Sequence, residues 1–379
     1  MKVIHVITGL GLGGAEMSLF RLCSETRKFP DIYSVVISLT KGGNLKDKLS
    51  KIGIKVVEFD FRSVEGILRG SVCMFRLLRL EKPDVVQTWM YHSDLIGGLI
   101  AKVAGVKNVV WGIHNTNLDF RTSSKKTILI VRILAKLSKY IPKLIISCSE
   151  RAKDYHISLG YSANKIRVIN NGIDFDEFSI DESARLNWRR KRQLNDNMIC
   201  LGVIARNSPQ KDYANFLKSL QLLQKQGIKN RAVLVGRGVT KLKNLVIELK
   251  LNSYIELCEE TDRVADILNG IDILVLPSAY GEALPTILIE AMACGTICVT
   301  TDVGDVREII GDYGCVAPPK DSKKLAETIK IAIQRLGAIN QFSNRIKMRS
   351  FVLRKFSIQK MFLEYLKAWR YRNDLKGGQ

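Results

Sequence analysis

The chain has 379 residues, 46% of them hydrophobic and 25% charged, an ordinary globular composition that excludes disordered and fibrous architectures. At roughly 100–200 residues per domain, this length predicts two or three domains. Lysine and arginine number 59 against 37 acids, a formal charge of +22, so an anionic partner is expected: nucleic acid, an acidic lipid surface or a phosphorylated substrate.

Short β-branched runs at residues 3–8, 33–39, 55–59, 84–88, 108–112 and 143–147 read as strands, with amphipathic patterns between most of them. After a polar gap the alternation resumes at 198–205, 231–235, 255–258, 271–277 and 297–301. That is the pattern of parallel βαβ units. Asn170-Asn171-Gly172 signals a turn, and residues 181–197 carry Arg189-Arg190-Lys191-Arg192, so the domain boundary is expected near 170–197. The reading assigns 1–175 to a first Rossmann-like domain, 176–350 to a second, and 351–379 to a C-terminal helix and tail packing back on the first. Ligands of such sheets bind at the carboxyl ends of the strands, and two such domains face to face would form a cleft. Residues 344–372 mix apolar and basic side chains and predict one or two amphipathic helices on the surface of the body.

No apolar run approaches 18 residues, so no membrane span is predicted. The N-terminal apolar run holds His5 and Gly9, Gly11, Gly13 and Gly14 and meets no A-x-A site, unlike a signal peptide. Eight scattered cysteines form no C-x-x-C pair, which predicts free, mostly buried thiols in a reducing compartment and a cytoplasmic protein.

Three segments carry chemistry. Thr8-Gly9-Leu10-Gly11-Leu12-Gly13-Gly14-Ala15-Glu16 joins the first strand to a helix expected from about Ala15; bare backbone and a helix start suit an anion, although a ligand-free βα turn has the same composition. Its spacing is not the dinucleotide fingerprint G-x-G-x-x-G. Arg206 and Lys211, five positions apart in the loop after the first strand of the second half, pair a donor fork with a point charge and suit a diphosphate. Taken alone they are equally compatible with a solvated loop. The third segment runs from Pro277 to Gly295: Glu282 falls in a loop, Pro285 opens a helix, and Glu290 sits within an apolar helix where an unpaired acid is costly.

In this order and spacing the segments resemble the retaining glycosyltransferases of family 4, whose GT-B fold is α/β with two doubly wound Rossmann-like domains facing across a cleft. The resemblance spans nearly the whole chain, adding Ile113-His114-Asn115 and Val168-Ile169-Asn170-Asn171-Gly172-Ile173-Asp174 to the loops above and Glu282-x7-Glu290 with Ala291-Met292-Ala293-x-Gly295. It implies that Arg206 and Lys211 hold the donor diphosphate, Glu290 the ribose and Glu282 the donor sugar. It also places Gly13 and Gly14 near the diphosphate or acceptor and makes His114 a group beside the reacting sugar. The chain departs from the family at Ala283, where glycine is usual, and at Leu257-Cys258 in place of Leu-Gly.

His5 and His156 read as structural, and His92 is left undecided. Asp174-Phe175-Asp176 imitates a D-x-D metal motif but lies in the interdomain connection, and no other carboxylate set suits Mg²⁺, so no metal and no cofactor are expected. Residues 61–82 and 123–143 combine basic and apolar side chains; each is either a buried helix with a basic face or an interfacial helix on anionic lipid. The resulting expectation is a metal-independent transferase. It moves a sugar from a nucleotide-diphosphate donor, UDP before GDP, to a glycan or lipid-linked glycan in bacterial surface polysaccharide assembly. Peripheral contact with the inner face of the cell membrane is part of that expectation. A nucleotide-sugar epimerase of the same fold and a basic nucleic-acid binder are the alternatives; the second lacks any recognisable module.

Overall fold

The computed structural model describes residues 1–116, 124–195, 198–339 and 342–371. Residue 123, residues 196–197 and residues 372–379, which belong to stretches singled out above, lie outside that description. The chain divides into two units, one of Met1–Gly172 together with the chain from Ile358, the other of Ile173–Ser357.

In the first unit strands and helices alternate: β1 (Lys2–Ile7), α1 (Gly14–Thr26), β2 (Tyr33–Ser38), α2 (Asn44–Lys51), β3 (Lys55–Glu58), α3 (Val64–Glu81), β4 (Val85–Trp89), α4 (Tyr91–Val103), β5 (Val109–Ile113), α5 (Lys125–Leu137), β6 (Leu144–Ser147), α6 (Glu150–Ser158) and β7 (Ile166–Val168). The strands form one parallel sheet in the order β3-β2-β1-β4-β5-β6-β7. Their apolar runs are buried on both faces, as a sheet wrapped by crossover helices requires.

The second unit repeats the plan with α7 (Glu182–Lys191), β8 (Ile199–Ile204), α8 (Tyr213–Lys225), β9 (Asn230–Val235), α9 (Lys243–Glu248), β10 (Ile255–Cys258), α10 (Val264–Gly270), β11 (Ile273–Leu276), α11 (Thr286–Ala293), β12 (Ile297–Thr301), α12 (Val306–Ile310), β13 (Cys315–Ala317), α13 (Ser322–Ile339) and α14 (Phe342–Phe356). Its sheet is also parallel, in the order β10-β9-β8-β11-β12-β13. Leu201, Val203, Phe216, Leu220, Leu234, Ile273 and Val299 pack with Leu325 and Ile329 of α13 to form its core.

The last helix, α15 (Ile358–Arg370), belongs to the first unit. It is more than a surface helix. Ile358, Met361, Phe362, Tyr365 and Trp369 recur on one face and are buried in the same core as Val3, Leu19, Leu22, Trp89 and Ile146. The charged segment after the boundary is likewise structural. Arg189 on α7 is buried and, with Arg185, binds the carboxylate of Asp272, at 3.1 and 2.5 Å respectively.

Candidate active site

In both sheets the strand order reverses beside the first strand, between β1 and β4 and between β8 and β11, and the loops leaving those strands adjoin there. Each unit carries its sequence-predicted residues on these loops, on the helices α1 and α11 that follow them, or on the loop that follows β5.

In the second unit the loop after β8 meets the loop after β11. The Ala279 amide donates to the Gln210 carbonyl (2.8 Å), and the Lys211 ammonium pairs with the Glu282 carboxylate. Ser278 donates to the same carboxylate (2.6 Å), while its own carbonyl accepts from the Thr301 hydroxyl (2.5 Å). The Lys211 and Glu282 side chains are 16% and 8% exposed, so the pair is largely desolvated and loss of one partner would strand a buried charge. Arg206 is exposed on the same loop as Lys211 and makes no ion pair among the described residues. Its loop is pinned by the Asn207 amide on the Arg237 carbonyl (2.9 Å) and by Gly236. At φ +145° a Cβ on Gly236 would lie 2.0 Å from the Ala205 carbonyl oxygen, so the close approach needs glycine. Glu290 is buried in the second turn of α11, behind the Pro285 cap.

In the first unit Gly13 caps α1, and a Cβ there would lie 2.3 Å from Glu16 Oε2; a Cβ on Gly14 would meet nothing within 4 Å. The helix begins one residue before the expected Ala15, with open space on the side-chain side of its first residue. His114 follows β5, and both of its ring nitrogens are buried without a hydrogen-bond partner among the described residues. Burial pushes its pKa down to about 4, so the imidazole is neutral at pH 7.

His5 lies in the core, its pKa pushed down to about 3 by burial, and its Nδ1 accepts from the Trp89 indole (3.3 Å). His156 is likewise pushed down to about 4, with Tyr91 at one nitrogen (2.8 Å) and the Ala152 carbonyl at the other (2.7 Å). His92 is half-buried, with its pKa lowered by burial. In Asp174-Phe175-Asp176 the Asp174 carboxylate accepts the Asp176 amide (2.9 Å), a local turn contact.

Four residues around these loops escaped the sequence reading: Ser278, Trp89, Met90 and Asp94. Asp94 is fully buried at the start of α4, where it accepts from the Thr88 hydroxyl (2.5 Å) and the Gly112 amide (3.3 Å). Burial raises its pKa to about 8, and its Oδ2 has no partner among the described residues, so the fold disfavours the ionised carboxylate. Met90 holds φ +70° and ψ +161°, a region only glycine enters freely, at a cost on the order of 1–3 kcal/mol. The sole sequence signals were an acid within an apolar helical run and a tryptophan ending a strand.

A cavity of about 520 Å³ in the second unit is lined by Asn187, Trp188, Arg192, Cys258 and Arg263 among others, but by none of Arg206, Lys211, Glu282 or Glu290. Among the described residues, no group of three or more His, Cys, Asp or Glu side chains is placed to hold a metal ion.

The model of the glycosyl transferases group 1 matches residues 184–348, and that of Glycosyltransferase Family 4 matches residues 12–177. The chain belongs to glycosyltransferase family 4. It is 27% identical over 340 residues to the N,N'-diacetylbacillosaminyl-diphospho-undecaprenol alpha-1,3-N-acetylgalactosaminyltransferase of Campylobacter jejuni, covering 86% of this chain and 88% of that one. The UDP-Gal:alpha-D-GlcNAc-diphosphoundecaprenol alpha-1,3-galactosyltransferase of Escherichia coli is 25% identical over 62% of each chain. Anabaena HepE, solved in complex with UDP, superposes with a TM-score of 0.84 at 20% identity, covering 97% of this chain and 99% of that one. That likeness shows the GT-B fold. The family 4 chain is therefore a glycosyltransferase, and none of these matches supports the epimerase or the nucleic-acid binder.

Proposed function

We propose that this glycosyltransferase moves a sugar from a UDP-sugar to a lipid-linked glycan, with retention of configuration and without a metal, in the assembly of a bacterial surface polysaccharide. The observation that carries the reading is the desolvated Lys211–Glu282 pair at the strand-order reversal of the second unit, with the uncommitted Arg206 guanidinium on the same loop. An incoming diphosphate gives Lys211 and Arg206 a stronger anion, and Glu282 is released to a donor-sugar hydroxyl. Glu290 holds the ribose, and the bare backbone at Gly13-Gly14 serves phosphate or acceptor. His114, neutral, hydrogen-bonds a sugar hydroxyl rather than carrying charge. The sugar C1–O bond to the diphosphate breaks, and the acceptor hydroxyl oxygen bonds C1 on the same face. Its proton passes to the departing phosphate oxygen, whose charge the cationic pair stabilises.

The acceptor side of the reading draws on the lipid-linked acceptors in the names of the Campylobacter and Escherichia coli relatives and on the surface of the first unit. There α4 packs between α3 and α5. Val64, Leu68, Val72 and Leu80 of α3, Val103 of α4 and Leu129 of α5 are exposed among Arg69, Arg76, Lys102, Lys125 and Arg132. Apolar side chains interleaved with cations suit the face of an anionic bilayer, which supports peripheral binding on the cytoplasmic side. No helix among the described residues is long and apolar enough to cross a membrane.

A labelled UDP-sugar panel with polyprenyl-diphosphate glycan acceptors tests the reaction. Transfer that survives chelation and yields the donor's anomeric configuration is expected; folded protein that neither transfers nor hydrolyses any nucleotide sugar overturns it. Flotation with anionic but not zwitterionic vesicles, weakened by salt, tests the surface.

A further inference from the structure

A site histidine is ordinarily oriented by a hydrogen bond at the ring nitrogen it does not use. His114 has no such bond among the described residues, although both nitrogens are buried. Its ring lies against Trp89 instead, with centroids 4.9 Å apart and planes 16° from parallel. Gly112 permits this placement: a Cβ there would come within 3.3 Å of His114 Nε2 and 2.6 Å of the Thr88 carbonyl.

Trp89 is itself held from several directions. Tyr365 of α15 lies 5.9 Å away at the same 16° angle, and His5 accepts the indole N–H. Trp369, also of α15, packs on His5 (5.8 Å) and Tyr365 (5.7 Å), donates to the Gln87 side chain (3.2 Å), and offers its carbonyl to Asn108 (2.7 Å). The backbone immediately after Trp89 is held in the glycine-only conformation of Met90, whose amide donates to the Gly112 carbonyl (2.9 Å). Strain of that kind persists where surrounding contacts over-determine the chain.

We propose that Trp89 is a positioning residue for His114: the indole, backed by Tyr365 of the C-terminal helix, sets the plane of an imidazole that no hydrogen bond from the described residues orients. The last helix of the chain is then part of the scaffold of the first unit's site. This rests on the reading of His114 as a site group, and the test separates the two.

Trp89→Leu removes the flat partner, and misplacement of a positioned group lowers kcat by roughly 10- to 100-fold. UDP affinity and the donor KM, which the proposed function assigns to Arg206, Lys211 and Glu290 of the second unit, stay within about threefold, because the partners of Trp89 named above all lie in the first unit. Trp89→Phe recovers most of the loss. In a His114→Ala background, Trp89→Leu lowers kcat by less than about twofold more, because the two changes disable one device.

A second readout needs no turnover. The chain has four histidines, so the His114 ring-proton resonances are identified by their loss in His114→Ala. They lie upfield in the native protein, and they move downfield in Trp89→Leu but not in Trp89→Phe. Should Trp89→Leu not fold, Tyr365→Leu, one ring further from the site, takes its place. Unmoved resonances, or an equal loss of kcat with and without His114, overturn the proposal. A native kcat in His114→Ala overturns the site role of His114, and the positioning role with it, while the transferase reading stands.

Discussion

The two units share one plan, a parallel sheet whose order reverses beside its first strand, yet they prepare their loops in opposite electrostatic ways. All four histidines, at positions 5, 92, 114 and 156, lie in the first unit, and the second has none. Around its loops the first unit buries groups in neutral form, with His114 and His156 lowered to about 4 and Asp94 raised to about 8. The second unit keeps ions, with Lys211 against Glu282 and Arg206 at the surface of the same loop. The difference suits a division of labour in which uncharged donors and acceptors recognise sugar hydroxyls and paired ions receive a diphosphate.

The largest expected effect comes from the ionic half. On the proposed role of Lys211 as a cation for the leaving diphosphate, Lys211→Ala should lower kcat/KM by about 10²–10³-fold. Because Glu282 is left buried without its cation, stability should fall by about 3–5 kcal/mol, read by denaturant unfolding. A variant with native kcat/KM would show that the pair is only structural and would break the comparison.

The neutral half should fail first in acid. Histidines 5, 114 and 156 have folded pKa values below the unfolded 6.5, so their stabilisation is present above pH 6.5 and is lost as pH falls towards 4. Each neutral histidine contributes a slope of about 1.4 kcal/mol per pH unit in that window. Calorimetry between pH 7 and 5 should therefore lower the transition of the first unit more than that of the second. Equal shifts would count against the contrast.

A shallower slope, that of a single group, isolates Asp94. Its folded pKa is raised, so the carboxyl favours the fold most below pH 4, and that contribution declines as pH rises through about 8. Asp94→Asn cannot titrate. Relative to the native protein it should gain about 1.4 kcal/mol per pH unit between pH 4 and 8 and level off above. A stability difference independent of pH would mean that Asp94 is ionised in the fold.

Much of this was legible in the chain itself. Eleven β-branched runs correspond to strands, and the Gly13-Gly14, Arg206/Lys211 and Glu282/Glu290 segments fall on loops or helix starts after the strands expected. The two missed strands, Ile166–Val168 and Cys315–Ala317, are three-residue edge strands, too short for a period to show. The departure at Ala283 was visible as well. Its residue is buried, and its carbonyl accepts the Asp305 amide (3.1 Å), a contact the sequence did not announce.

By itself the sequence determined two successive α/β sheets and the family segments that follow their strands, because strand runs, glycine loops and helix caps are local signals read within a dozen residues. Only the tertiary structure decided that Lys211 pairs with Glu282, that Asp94 is fully buried, and that Tyr365 and Trp369 of the last helix pack with Trp89 and His5 behind His114. Desolvation and ring stacking depend on which distant segments share a core, and no local pattern records that.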